Sequence, residues 1–219
     1  FKPKDIISGD FYWTAQTKEN ELIIAAVDCT GHGVPGAFLT IVGNSILNQI
    51  VNFDQITNPS EILTKMNQRI LERFQTNSNQ EINDGMDISI CKIAKTSVGH
   101  NVQFAGAYTP VYYIRNNEVI EVKGSRNAIG TPLSESPVYE GREFDLYEND
   151  MLYLFSDGYV DQLGGDKGKK FMRRRFKNVL INIHNKPAIE QEKELIVNFD
   201  KWRGEIRQID DVLVIGIKF

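Results

Sequence analysis

Apolar residues near the start of the chain follow the pattern of two neighbouring β-strands. Residues 6–14 mix β-branched and aromatic side chains, and residues 22–28 form an apolar run that ends in a carboxylate. The polar segment 18–21 between them is typical of a hairpin turn. The pattern therefore predicts a hairpin that brings Asp10 and Asp28 onto adjacent strands.

Helical spacing of apolar residues follows the hairpin and returns near the end of the chain. Residues 37–51 repeat apolar positions at helical spacing, and a second helix over 59–74 opens with Asn58 as a capping residue. Two more helices are predicted over residues 172–183 and 188–203. Amphipathic helices of this kind bury one face against another element.

Short strands account for most of the middle and the end of the chain. The segments with strand composition are residues 86–94, 101–107, 111–115, 118–122, 142–147, 150–156 and 212–219. Loops are predicted over residues 75–85, 124–136 and 164–170. Asn116 and Asn117 form a two-residue turn that tolerates positive φ. Hairpin-like spacing favours antiparallel sheets with helices packed outside them, in an α+β fold that forms one domain over residues 1–219.

Composition is ordinary for a soluble globular protein, with 41% hydrophobic and 25% charged residues in a chain of 219. No continuous apolar run approaches the roughly 18–20 residues that span a bilayer, so we expect no direct membrane insertion. Cys29 and Cys91 form no paired motif, which favours a reducing, cytoplasmic setting.

The formal net charge is −4, so nucleic acid is not expected to bind the surface as a whole. Residues 167–177 are the exception, because they hold seven basic residues and no acidic ones. Such a run is most often a solvated helix face, but it also fits nucleic acid or an acidic protein surface.

The segment 28–36 has the arrangement of a binding site. An apolar strand ends in Asp28, then Gly31, Gly33 and Gly36 follow as a helix begins. Glycines allow backbone N–H groups to approach a ligand closely, and a helix N-terminus favours anions. The segment therefore predicts half of a metal-and-phosphate site, with Gly31 and Gly33 binding phosphate.

Four carboxylates share a position at a predicted strand end or beside a glycine. They are Asp10, Asp28, Asp157 and Asp210. A single such residue is usually a turn former or a helix cap. Gathered in one place, the four carboxylates would repel each other and raise each other's pKa, and a divalent cation would remove that penalty. Hard oxygen ligands without a His or Cys cluster indicate Mg²⁺ or Mn²⁺.

Four motifs carry a resemblance to a known family. In chain order they are Ser-Gly-Asp-Phe-Tyr-Trp, Asp-Cys-Thr-Gly-His-Gly-Val-Pro-Gly-Ala, Phe-Ser-Asp-Gly-Tyr-Val-Asp and Asp-Asp-Val-Leu-Val-Ile. From about Lys2 to its C-terminus the chain resembles the metal-dependent (PPM) serine/threonine protein phosphatases, and within them the bacterial SpoIIE/RsbU-like regulators. The resemblance implies a four-layer α-β-β-α sandwich of two antiparallel sheets with helices outside, and a two-metal site at one edge.

The same resemblance implies a role for each matched residue. Asp28 would bridge two Mn²⁺ or Mg²⁺ ions, and the backbone carbonyl of Cys29 would be a further ligand. The remaining carboxylate ligands would be Asp10, Asp157 and Asp210, with Asp211 as the alternative in a register shifted by one residue. A water held between the metals would attack phosphorus in line, with no covalent phospho-enzyme. His32 would either donate a proton to the leaving oxygen or fix the loop structurally.

The resemblance also implies partners. The substrate would be phosphoserine or phosphothreonine on a regulatory protein, such as an anti-sigma-factor antagonist, and Arg173, Arg174 and Arg175 would guide that protein to the site. Since the chain begins with Phe1 rather than Met, we expect the C-terminal part of a longer signalling protein with an N-terminal sensor or dimerisation segment. Whether the domain forms a homodimer is left open.

Three other functions fit parts of the chain. Residues 31–36 match a dinucleotide-binding fingerprint, but Asp28 would repel a pyrophosphate and the later chain lacks alternating strand–helix units. A thiol phosphatase needs a phosphate-binding loop and an Arg after its cysteine, and neither Cys29 nor Cys91 has them. The last alternative is a catalytically weak phosphatase fold that acts as a binding module, against which the retained carboxylates argue.

Overall fold

Two antiparallel sheets form the centre of the molecule, in a computed structural model that describes residues 1–74, 85–130 and 137–219. The first sheet contains, in spatial order, β1 (Asp10–Gln16), β2 (Leu22–Cys29), β3 (Met86–Lys95), β4 (His100–Ala107) and β7 (Gly141–Leu146). The second contains β11 (Val214–Lys218), β8 (Met151–Phe155), β5 (Val111–Arg115) and β6 (Glu118–Val122). A two-stranded ribbon of β9 (Leu163–Gly164) and β10 (Lys169–Lys170) lies apart from both sheets.

Helices cover the outer faces of the two sheets. They are α1 (Gly33–Asn48), which continues as a π-helix over Gln49–Phe53, α2 (Pro59–Phe74), α3 (Gly158–Asp161), α4 (Arg173–Ile183) and α5 (Ala188–Arg203). Buried apolar residues of α1 and α2 pack against the first sheet, and those of α4 and α5 pack against the second. This arrangement confirms the four-layer α-β-β-α sandwich that the resemblance implies.

Strand β2 shows how the layers place the site. Ile23 and Val27 face α1 and α2, whereas Ile24 and Ala26 face the second sheet. Both faces of the strand are buried, and this explains its continuous apolar run. Because alternate residues share a face, Asp28 continues the face of Ile24 and Ala26 and lies at the end of the layer between the two sheets.

The first strand begins later than predicted. β1 starts at Asp10, and the predicted strand residues 6–9 lie outside it. The cause is a carboxylate from the end of the chain, because the N–H groups of Lys4 and Gly9 donate to Asp211 at 2.7 and 2.8 Å rather than to a neighbouring strand. The rest of the hairpin forms as predicted.

Two local predictions are confirmed by hydrogen bonds and dihedral angles. The side-chain oxygen of Asn58 accepts hydrogen bonds from the backbone N–H groups of Ser60 at 3.0 Å and Glu61 at 3.3 Å, as a helix cap does. Asn116 and Asn117 have φ values of 51° and 63°, as the tight turn between β5 and β6 requires.

Two further segments differ from the sequence pattern, and two predicted loop segments cannot be compared with the structure. The π-helix after α1 was not predicted. The ribbon of β9 and β10 forms within the segment 164–170, which was expected to be a loop. Residues 75–84 and 131–136 of the predicted loops lie outside the described residues.

The helix over Gly33–Phe53 is long and apolar enough to cross a membrane by length and composition alone, with 21 residues and a mean hydropathy of 1.3. This helix contains no long continuous apolar run, because polar residues interrupt its sequence. In the fold, Ile46, Leu47 and Ile50 of this helix are fully buried against the first sheet. A core helix passes the same test, so the helix is weak support for a membrane span.

Candidate active site

Three carboxylates stand side by side at one end of the first sheet. Asp10 on β1 is opposite Asp28 on β2, and Asp28 is opposite Asp87 on β3. Residues directly opposite in antiparallel strands have Cβ atoms about 4.5–5.5 Å apart. Sequence reasoning missed Asp87, because one Asp at the start of an apolar strand gives no signal of its own. Only its register with Asp28 shows that it belongs to this row.

A fourth carboxylate comes from the second sheet. Strand β8 ends at Phe155, and the backbone N–H of Asp157 donates a long hydrogen bond of 3.4 Å to Oδ2 of Asp28. The two residues are 129 positions apart in the sequence. The ends of β2 and β8 therefore meet and bring acidic side chains from both sheets to one place.

Burial and mutual repulsion raise the pKa of these carboxyl groups. Burial is the main cause at Asp28, and the charges of Asp10 and Asp157 add to it, so that its pKa rises to about 10. Burial also raises the pKa of Asp10 to about 7, against an opposing hydrogen bond from Ser156. At Asp87, burial and the charge of Asp157 raise the pKa to about 7. Negative charge here is unfavourable unless protons or cations compensate it.

The two aspartates of the C-terminal motif have different contacts. Asp211 is buried, and its two oxygens accept the N–H groups of Lys4 and Gly9. Asp210 is partly exposed, and one of its oxygens accepts the N–H of Asp211 at 2.9 Å. The charge of Asp210 also raises the pKa of Asp28. Asp211 therefore holds the N-terminal segment, and the charges of both Asp211 and Asp210 raise the pKa of Asp10.

Glycines pack main chain against main chain beneath the acidic row. A Cβ atom on Gly9 would lie 2.5 Å from the carbonyl oxygen of Gly31, and one on Gly36 would lie 2.4 Å from the same oxygen. Gly31 and Gly33 have φ values of 84° and 68°, in the left-handed region that favours glycine. This close packing fixes Asp10, which follows Gly9, against the loop.

Cys29, the residue after Asp28, is buried, and its thiol is unreactive. Burial raises the pKa of the Cys29 thiol to about 12, which argues against a thiolate nucleophile. The hydroxyl of Thr40 on α1 donates towards the carbonyl oxygens of Gly9 at 3.1 Å and Gly36 at 3.2 Å. Thr40 therefore links the helix to both glycine segments, a role that its sequence position did not reveal.

His32 lies exposed at the start of α1. Its Nδ1 atom is 2.9 Å from an Oδ2 atom of Asp5, so it ties the glycine loop to the N-terminal segment. Such a contact is expected if the role of His32 is to fix the loop structurally. Proton donation by His32 stays a prediction.

The three arginines predicted to contact substrate do not form one surface. The guanidinium of Arg175 lies 4.5 Å from the centre of the Trp202 ring, which it covers. Arg173 has a loose ion pair of 3.8 Å with Glu121. Arg174 is exposed, and within the described parts of the chain it makes no ion pair or hydrogen bond.

The donor chemistry of the acidic row fits hard divalent cations. The Oδ2 atom of Asp10 is buried and has no hydrogen-bond partner among the described residues. Carboxylate and carbonyl oxygens are the ligands that Mg²⁺ and Mn²⁺ prefer. Over residues 1–74, 85–130 and 137–219, however, no three Asp, Glu, His or Cys side chains are already grouped as a finished metal site. Uncompensated carboxylates repel each other, so the ligand side chains would have to close on the ions.

Comparisons with known proteins agree with this fold. The family model described as stage II sporulation protein E (SpoIIE) matches residues 18–219. The SiaA-PP2C domain of Pseudomonas aeruginosa is 30% identical, with a TM-score of 0.87 over 100% of this chain and 82% of that one. Among curated proteins, the comparison found no match to this chain.

Two more distant structures support the fold alone. The PP2C phosphatase domain of SpoIIE from Bacillus subtilis, solved with a fragment of its regulatory domain, is 20% identical with a TM-score of 0.78. The RsbU and RsbW domains of a Mycobacterium tuberculosis protein are 16% identical with a TM-score of 0.70. The matches cover 99% and 98% of this chain but only 60% and 56% of those two chains.

Proposed function

Because this chain belongs to the SpoIIE family, we propose that it is a metal-dependent phosphatase that hydrolyses phosphoserine and phosphothreonine on a regulatory protein. Family and fold support the coarser assignment, a protein phosphatase. The metal requirement, the substrate and the roles of the residues are proposed here on the geometry of the acidic row.

One observation carries this proposal. Asp10, Asp28 and Asp157 come from three strand ends in two different sheets, yet they share one electrostatic environment: Asp157 raises the pKa of Asp10, and Asp10 and Asp157 both raise the pKa of Asp28. A fold gains no stability from such a gathering of like charges. Since buried charges need a compensating partner, the gathering is best explained by cations that bind there during function.

The ions would be held by oxygens of this chain. Asp28 would lie between two Mn²⁺ or Mg²⁺ ions, with the Cys29 carbonyl oxygen beside it. The flanking carboxylate ligands would be Asp10, Asp157 and Asp210. When bound, the ions would supply charge compensation for the phosphoryl oxygens and acidify a water for attack on phosphorus.

The chain's own groups would hold the phosphoryl group and orient it. The loop at Gly31 and Gly33 has the left-handed backbone that lets main-chain N–H groups face an anion. His32, at the first turn of α1 and fixed by Asp5, is placed at the end of this loop. It would either orient the loop or give a proton to the serine or threonine oxygen that leaves.

The partners belong to the proposal as well. Two similar structures contain further domains: the SpoIIE structure includes a fragment of a regulatory domain, and the Mycobacterium tuberculosis structure includes an RsbW domain beside its RsbU domain. By analogy we propose a small phosphorylated regulator as substrate and a sensor segment before Phe1 in the full protein. The buried, unpaired Cys29 and Cys91 suit the cytoplasmic setting that this proposal assumes.

Release of phosphate from an aryl phosphate and from a phosphoserine peptide, with Mn²⁺ added, tests the proposal. EDTA and the Asp28→Asn substitution should each remove activity on both substrates, the latter by about a thousandfold or more. Asp145→Asn is the matched control, because Asp145 is an exposed aspartate on β7 away from the site. Activity that survives both EDTA and Asp28→Asn would contradict the proposal.

A second function is favoured by one observation. Among the described residues no finished metal-binding group is present, as a binding module with weak activity would also show. Such a module would bind a phosphoserine peptide with micromolar or better affinity and release no phosphate at saturating Mn²⁺. The same preparation, assayed for binding and for release, separates the two functions.

A further inference from the structure

A cleft of about 430 Å³ opens directly beside Asp157, between the loop after β4 and the start of α4. Its lining includes Asp157 itself, Tyr108, Met172, Arg173 and Arg174. Because the cleft reaches the acidic row, any chain segment lying in it would be next to a phosphoryl group held there. The residues of the cleft are therefore placed to contact the substrate around its phosphorylated residue.

Two bulky apolar side chains line the cleft from strained backbone positions. Tyr108 has a φ of 66°, and Met172 has φ 75° with ψ 145°, a region that is essentially restricted to glycine. Both side chains are largely exposed, at 61% and 54%. Their backbones are held in place, because Tyr108 N–H donates to Ser125 at 2.8 Å and Met172 N–H donates to Val160 at 2.7 Å.

Strained backbone of this kind is found mainly where function requires it. A glycine at position 172 would relieve the strain and would give up only the covered part of a residue that is 54% exposed. The fold alone therefore gives no reason for a methionine there. A ligand that contacts this side chain gives one.

The basic residues near the cleft differ in how far their charges are already compensated. Lys170 pairs with Asp161 at 2.6 Å, and Arg173 pairs loosely with Glu121 at 3.8 Å. Arg174 alone in this group has no partner within the parts of the chain that the structure describes. A single uncompensated guanidinium attracts one carboxylate or phosphate.

We propose that this cleft binds the residues flanking the phosphorylated residue of a protein substrate, and that Tyr108, Met172 and Arg174 set its preference. Tyr108 and Met172 contact an apolar side chain, and Arg174 pairs with an acidic one. The inference rests on the proposed phosphatase function.

Peptide kinetics test the proposal. The probes are a phosphoserine peptide with a leucine beside the phosphoserine and glutamates beyond it, the same peptide with alanines at those positions, and an aryl phosphate. Arg174→Gln should raise KM for the glutamate peptide by about tenfold, the loss expected for one charge-assisted contact, and leave kcat unchanged. It should not change kcat/KM for the aryl phosphate. Lys193→Gln, at an exposed position on α5, is the charge-matched control.

Met172→Gly tests the apolar contact with a variant that should fold at least as well as the parent. It should raise KM for the leucine peptide, leave KM for the alanine peptide unchanged and not lower the thermal midpoint. A purely structural role would instead lower the midpoint and affect all substrates alike. Tyr108→Ala should act on the leucine peptide in the same direction.

Several outcomes would overturn the inference. If Arg174→Gln and Met172→Gly leave KM unchanged for both peptides while the parent protein hydrolyses the aryl phosphate, substrate binding by the cleft is rejected. The phosphatase function is then unaffected. If none of the probes is hydrolysed, the phosphatase function is rejected. The measured peptide affinity then shows whether the cleft binds the peptide. That affinity is measured by fluorescence anisotropy on Asp28→Asn protein, where the Arg174→Gln change should weaken binding of the glutamate peptide by a similar factor.

Discussion

The two ends of strand β8 carry aspartates in opposite situations. Asp150, just before the strand, is buried and accepts hydrogen bonds from Arg115 Nη2 at 2.6 Å and from the Tyr147 N–H at 2.9 Å. This pairing raises the pKa of the Arg115 guanidinium. Asp157, just after the strand, faces other carboxylates, and burial followed by the charge of Asp161 raises its pKa.

The difference separates an acid that supports the fold from one that is available for chemistry. At Asp150 the opposing charge is part of the chain, so folding itself satisfies the carboxylate. At Asp157 the nearby Lys170 is already paired with Asp161, and the row from Asp10 to Asp87 adds only negative charge. The cost of that arrangement is compensated only when something else binds.

The same substitution at both ends should therefore have opposite consequences, and the larger effect is expected at Asp157. Asp157→Asn should lower kcat for an aryl phosphate by about a hundredfold to a thousandfold, because it removes a proposed metal ligand. Its metal-free thermal midpoint should stay the same or rise, since one repelling charge is gone. A variant that loses activity only in proportion to lost stability would contradict this role.

Asp150→Asn should have the opposite effect, with lower stability and unchanged activity. Leaving Arg115 without its carboxylate should lower the free energy of unfolding by about 2–3 kcal/mol, as expected for breaking a largely buried charged pair. Activity per folded molecule should be unchanged, because Asp150 lies at the far end of the strand. Urea unfolding gives the stability, and the aryl phosphate assay below the unfolding range gives the activity.

Gly36→Ala should disturb the site through its backbone. The added Cβ would lie 2.4 Å from the Gly31 carbonyl oxygen, so the loop or the start of α1 must move. We expect a loss of about 1–2 kcal/mol in unfolding free energy, comparable to overpacking a core, together with weaker Mn²⁺ activation. Gly168→Ala is the control, because nothing lies within 4 Å of its added Cβ, although its positive φ brings a small cost of its own.

The pH dependence of metal-free stability should show the smallest effect, because Asp157 and Asp210, whose charges act on the buried Asp10, are at least partly exposed and are screened by water and salt. Asp10 has a folded pKa of about 7 against an ordinary value of 3.8, so the folded state holds its proton more tightly. Its contribution is complete below pH 3.8 and is lost as the pH rises through about 7. The thermal midpoint measured in EDTA should therefore decrease as the pH is raised from 3.8 to about 7.

Two additions sharpen this measurement. Saturating Mn²⁺ should flatten or reverse the decline, because the ions replace the protons. Asp10→Asn should also make the curve flatter, since it removes one of the titrating groups. A midpoint that rises with pH in EDTA would show that the carboxyl groups are not held in their protonated form.

Local sequence patterns predicted most elements of the fold. The β1–β2 hairpin, the Asn58 cap and the Asn116–Asn117 turn depend on neighbouring residues, and all three form as expected. Residues 6–9 had strand composition but lost their place in the sheet to contacts with Asp211, 202 positions from Gly9. Local propensity contains no information about such a distant acceptor.

The site divides in the same way. A position at a predicted strand end or beside a glycine marked Asp10, Asp28, Asp157 and Asp210, and the resemblance gave them roles as metal ligands. Asp87 stayed unnoticed because its importance comes from the register of β3 with β2. Arg174 and Arg175 are neighbours of identical type. Only the fold shows that Arg175 packs on Trp202, whereas Arg174 pairs with none of the described residues.

The sequence by itself determined which residue types end the strands, where glycine permits close packing, and that hard oxygen ligands outnumber any other kind. The tertiary structure alone decided which carboxylates face one another and which receive a cation from the chain. The physical reason is that the two kinds of interaction act over different ranges. Backbone preferences act over a few residues, whereas electrostatic compensation depends on distances in space, and Asp28 and Asp157 meet across 129 positions of sequence.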